Sequence, residues 1–176
     1  MALTKITETV ASGSGNIAFT SSIDSTYKLY IFKLIEIHPA SMTNFTVNFS
    51  TDGGSNYNVS KTTTCIVAYN IETSGDHLLH YRDSGDLGSS TDYQLLMEAL
   101  EDDADSNGSG YLHLYNPSNT TYYKHISSQC SYHRDAGYAF NMFIGGMLET
   151  TSAINAVNFK MDSGNIDAGT IEMWGL

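Results

Sequence analysis

The chain has 176 residues, with 8 Lys and Arg against 19 Asp and Glu, for a net charge of -11. That length fits one domain with a real core. The scattered basic residues exclude a binder of phosphate backbones, which needs clustered Lys and Arg, so no nucleic-acid partner is expected.

The opening segment shows no apolar h-region, so no signal peptide is read and synthesis in a cytoplasm is expected. It ends in "SGSG", Ser12 to Gly15, which reads as a joint. Residues 1–15 are therefore expected to be a flexible arm, and residues 16–176 a single β-sandwich domain. No run approaches the ~20 apolar residues of a membrane span.

A first strand follows at Ile17 to Thr20. The next, "TYKLYIFKLIEIHP", places Tyr27, Leu29, Ile31, Ile35 and Ile37 on one face, with Lys33 as the exception. Its other face is mixed, which suits a central strand. "NFTVNFSTDGGSNYN" reads as a hairpin turning at Asp52, Gly53 and Gly54. "TTTCIVAYNI" is a β-branched strand, and residues 72–90 read as a long polar loop.

One segment has helical period. Tyr93, Leu96, Met97 and Leu100 fall at i, i+3, i+4 and i+7, and Ser90 or Thr91 can cap the start. A short helix over about residues 91–102 is expected. After it come "YLHLYN", "TYYKHISSQCSYH", "YAFNMFIGGMLET", "INAVNFKM" and "GTIEMWGL", each bounded by turn chemistry. The fold class read from this order is all-β, an antiparallel sandwich or barrel with one helix.

Candidate sites are few. Asp103, Asp105, Asn107 and Gly108 occupy positions 1, 3, 5 and 6 of a calcium loop, but Leu114 stands where a bidentate Glu belongs. The loop is a weak cation candidate and otherwise a polar turn. Two "DSG" triplets, at Asp83 and Asp162, read as turns and not as a protease dyad. The six histidines show no ligand spacing for zinc. Cys65 and Cys130, too few for a disulfide framework, read as free, mostly buried thiols, and Cys65, in the buried strand "TCIVAY", as an inert thiol and not a histidine-paired nucleophile. No cofactor fingerprint is present. The paired glycines of "FIGGML" read as a bulge or a close backbone approach. Tyr122, Tyr123 and Tyr132 lie near a strand end and could stack on sugar rings or line an interface. The chain closes on "GTIEMWGL", where Ile171, Met173 and Trp174 are expected to anchor a terminal strand in the core or in a neighbouring subunit.

Four phrases occur together: "IFKLIEIHPAS", "FSTDGGSNYN", "GYLHLYNPSNTTYYKH" and "TTSAINAVNFKMDSGNIDAGTIEMWGL". In their order and in the terminal strand, residues 17–176 resemble small virion structural proteins of tailed phages of marine bacteria, cyanophages among them. The resemblance implies a jelly-roll-like sandwich and a non-enzymatic role in capsid decoration or in a tail or fibre. It also implies contacts with copies of itself, trimers by analogy, and with other virion proteins, the arm being a tether. It supplies no catalytic residue. A host-glycan receptor-binding module is the alternative, and a polysaccharide hydrolase, needing two facing carboxylates, a further one.

Overall fold

The computed structural model describes residues 2–176. Twelve strands form: β1 Thr4–Ser14, β2 Ile17–Phe19, β3 Leu29–Pro39, β4 Thr43–Ser50, β5 Lys61–Ile71, β6 His77–Tyr81, β7 Gln94–Leu100, β8 Gly108–Tyr115, β9 Lys124–Arg134, β10 Tyr138–Leu148, β11 Ala156–Met161 and β12 Ile166–Gly175. The one helical element among the described residues is a 3-10 turn at Asp135–Gly137.

Every strand pair is antiparallel. Eight strands run in the order β6-β5-β10-β9-β8-β3-β12-β1, and four in the order β7-β4-β11-β2. A single pair, Leu100 with Arg134, joins the two sheets. The larger sheet curls over the smaller, and the core lies between them. The fold is therefore an all-β, nearly closed antiparallel sandwich.

Four phenylalanines mark the centre of the core. Phe159 on β11 stacks on Phe45 of β4 at 6.0 Å, meets Phe19 of β2 edge-on at 6.3 Å, and tilts against Phe32 of β3 at 5.4 Å. Phe32 belongs to the larger sheet and the other three to the smaller, so Phe159 ties the layers together.

The expected helix at 91–102 is instead strand β7. Its pairing with β4 is irregular twice, around Phe45, and Ala99 sits at φ +46°. These irregularities break the two-residue alternation and bury Gln94, Leu96, Met97 and Leu100 together. A bulged strand thus mimics a helical stripe, and long-range pairing overrides local propensity.

The expected arm is also different. Thr4–Ser14 pairs along β12 from Thr4–Gly175 to Ser14–Ile166. Met1 lies outside the described residues. In β3 the core takes Tyr30, Phe32 and Leu34, and Leu29, Ile31, Lys33 and Ile35 turn outward. The alternation resets at Glu36, whose φ is +52°, so that Ile37 is buried beyond it. Gly169 on β12 makes this bulge fit. A Cβ there would stand 2.7 Å from the Glu36 carbonyl oxygen.

The expected hairpin after β4 does not close. Asp52 caps its own turn, but residues 55–60 make one backbone bond back, Val59 to Phe49, before the chain crosses to the other sheet. Both edges of β4 are already occupied, by β7 and β11. The loop expected at 72–90 contains β6, paired with β5.

Two lysines are buried. Lys61 donates to the Asp92 carbonyl, and Lys124 to the carbonyls of Thr150 and Ser152. Burial lowers both, Lys61 to about 8 from an ordinary 10.5. Between those values the unfolded chain binds more protons than the folded one, so stability rises with pH across the window. The deficit below pH 8 is about 3 kcal/mol for Lys61, at ~1.4 kcal/mol per unit. Lys61→Met is expected to stabilise the protein by about 1–3 kcal/mol at pH 7 and to flatten the rise between pH 8 and 10. Urea melts at a series of pH values check this.

Candidate assembly face

Strand alternation gives the larger sheet an outer face on the side away from the core. Register aligns its side chains in rows. One row runs Lys33, Tyr111, Gln129, Phe143, Ile66 and Tyr81. A second runs Ile31, His113, Ser127, Gly145 and Thr64. A third runs Leu29, Tyr115, His125, Met147 and Thr62.

Across β8, β9, β10, β5 and β6, no outward position is Asp, Glu, Lys or Arg. Charged residues of these strands, Lys61, Lys124 and Arg134, are on the inner side. Large apolar side chains fill the face, with Phe143 37% exposed, Tyr115 40%, Ile66 44% and Tyr81 46%.

The face is held rigid by its own polar groups. Tyr111 stacks on His113 at 4.7 Å, and the Tyr111 hydroxyl donates to Gln129 Oε1 at 3.1 Å. The Tyr115 hydroxyl lies 3.2 Å from His113 Nδ1 and 3.0 Å from Ser127 Oγ. Partial burial pushes the His113 imidazole down, favouring its neutral form. Gly145 leaves the second row flat where it crosses β10. Gly146 faces inward, where a Cβ would stand 2.5 Å from Thr63 Cγ2, so the paired glycines mark a close approach and no bulge.

Charge appears only at the rim. Beyond Lys33, Glu172 accepts from Lys5 at 2.8 Å and from Trp174 Nε1 at 2.9 Å. Lys33 Nζ stands 4.1 Å from the Trp174 ring centre. On the opposite rim the Tyr81 hydroxyl donates to Asp86.

The expected anchors therefore divide. Ile171 and Met173 are fully buried, whereas Trp174 is half-buried on the outer face, beside Ile31. The expected tyrosines divide too. Tyr132 is 4% exposed, and its hydroxyl accepts the Glu98 N–H, so it belongs to the core and presents nothing to a sugar. Tyr122 and Tyr123 are exposed just before β9.

Asp103, Asp105 and Asn107 are exposed on a loop that follows strand β7 and not a helix. Their loop borders a groove of ≈ 660 Å³ with Glu36, His38 and Asp167. His38 Nε2 and the Ser106 N–H both meet the Asp103 carbonyl. No group of three or more His, Cys, Asp or Glu side chains is placed to hold a metal ion among the described residues. Cys65 and Cys130 are buried and free, and burial pushes both thiols up to about 12.

The outer face was missed in the sequence because it needs the register of five strands. A signal was nonetheless present: residues 108–148 carry only Lys124, Arg134 and Asp135 as charges.

The chain matches no protein-family model and no curated protein. Among solved structures it is similar to a structural-genomics protein of unknown function from Bacteroides ovatus, at 8% identity and a TM-score of 0.22. That match covers 75% of this chain and 45% of the other, so the chain spans less than half of its length. At that score the likeness carries no argument about fold or function.

Proposed function

We propose that this chain is a non-enzymatic structural protein of a phage virion, a capsid decoration or a tail or fibre component. It works by docking through the outer face of the larger sheet. The observation that carries the assembly part is the absence of charge from five strands of that face in a protein of net charge -11. Interface cores are depleted in charge and enriched in Tyr, Phe, Trp and Met, as this face is. The virion part rests on the resemblance of the strand phrases.

A jelly-roll arrangement belongs to the same reading. With β5–β6 and β9–β10 set aside as inserted hairpins, eight strands remain: β1, β2, β3, β4, β7, β8, β11 and β12. They pair first with last, second with seventh, third with sixth and fourth with fifth. That is a long hairpin rolled into two sheets. Viral capsid domains use such jelly rolls, which supports the reading by analogy.

The test is to purify particles and locate the protein on them by mass spectrometry and antibody labelling. It is expected on the capsid or tail at stoichiometric copy number. Its absence from particles would overturn the reading.

A second reading, a host-glycan module, is favoured by the exposure of Tyr122 at 71% and Tyr123 at 49% on one loop. Aromatic faces of this kind stack on sugar rings. Glycan-array binding lost in Tyr122→Ala and Tyr123→Ala would support it. Unchanged binding in both variants would remove the site.

A further inference from the structure

We infer that the occupant of the uncharged outer face is a second copy of this chain, packed back to back across β8, β9, β10, β5 and β6. The inference rests on the assembly reading above and deepens it by naming the partner and the contact.

Charge selects the partner. Two copies, each at -11, repel wherever carboxylates face one another. The outer face of these strands lets them meet without burying a carboxylate. A basic partner would be drawn elsewhere, for example to the groove bordered by Glu36, Asp102, Asp105 and Asp167. A second copy of this chain, repelled at its other acidic surfaces, can meet this face without opposing carboxylates.

Area agrees. Five strands spaced ~4.8 Å apart, with about seven residues each at ~3.4 Å, cover roughly 600 Å². The rows continue onto Leu29 and Ile31 of β3. Specific interfaces take about 600–1,000 Å² from each partner, so the face falls at the lower end of that range. Two sheets packed face to face lie ~10 Å apart at about 30°, an arrangement open to a flat, twisted surface. A face docked on its own copy is isologous and closes at two subunits. Phe143 lies on β10, the middle strand of the five, and so falls near the two-fold axis.

The test is light scattering on the full chain at tens of micromolar. A mass twice the 19.2 kDa chain is expected. Phe143→Glu puts two like charges near the axis and is expected to weaken the dimer at least 100-fold. Val10→Glu adds the same charge on β1, outside the five strands, and is expected to leave the mass unchanged. Circular dichroism and melting show that both variants remain folded. A wild-type mass of one or three chains, or a Phe143→Glu protein still at twice the chain mass, overturns the inference. A monomer found on purified particles overturns the inference and leaves the virion reading standing. A dimer absent from particles does the reverse.

Discussion

Removing Ile171 to Leu176 is expected to unfold the protein. β12 lies between β1 and β3, so its loss strips a partner from each. Ile171 and Met173 are fully buried, and each contributes about 1.5–3 kcal/mol by burial alone. Leu176 adds a backbone clasp. Its N–H donates to Leu29 at 2.9 Å, and its carbonyl accepts from Lys28 and Leu29 at 3.1 Å. Gly175 packs under Tyr27 so closely that a Cβ would stand 2.3 Å from the ring. The sum rivals the ~5–15 kcal/mol of a whole domain. Loss of the β signal in far-ultraviolet circular dichroism at 25 °C is the expected readout. Trp174→Ala, on the outer face, is expected to cost only about 1 kcal/mol, because Ile171 and Met173 do the anchoring.

Phe159→Ala is expected to cost about 3–5 kcal/mol, the largest effect of a single substitution considered for this chain. Phe159 is fully buried and touches an aromatic ring from each of three other strands. Its removal leaves a cavity at the junction of the two sheets. The neighbouring rings are fixed by their own strands and cannot collapse fully into it. For a chain of this length the melting temperature is expected to fall by roughly 10–15 °C. Phe143→Ala removes the same side chain from the outer face and is expected to change the stability of the isolated chain by less than about 1 kcal/mol. Scanning calorimetry on the pair separates the core face from the docking face.

The strands themselves were legible from composition. Leu29 to Pro39, Lys61 to Ile71 and the run from Gly108 to Gly175 carry β-branched and aromatic residues between turn signals, and they form the strands expected of them. Three things were not legible. β7 hid because its irregularities placed Leu96, Met97 and Leu100 at helical spacing. β1 hid because only Ala11 of its side chains is buried, so its pairing with β12 leaves no apolar signature. The facing of β3 hid because one residue, Glu36, resets the alternation that both faces depend on. A one-residue shift exchanges the faces of a strand, and only the partners decide where it falls.

The candidate face was out of reach for the same reason. Tyr111, Gln129, Phe143, Ile66 and Tyr81 are far apart in sequence and become neighbours only through four strand registers. Tyr122, Tyr123 and Tyr132 stand out in the sequence only by their place near a strand end. One of them proved to be core.

Hydroxyl-radical footprinting on purified particles tests the central claim most directly. The reference is the isolated Phe143→Glu chain. Tyr111, Tyr115 and Tyr81 are expected to oxidise several-fold more slowly on the particle, while Tyr122 oxidises at the same rate in both. Equal oxidation of Tyr111, Tyr115 and Tyr81 in the two samples, with protection confined to Tyr122 and Tyr123, would contradict assembly through the outer face.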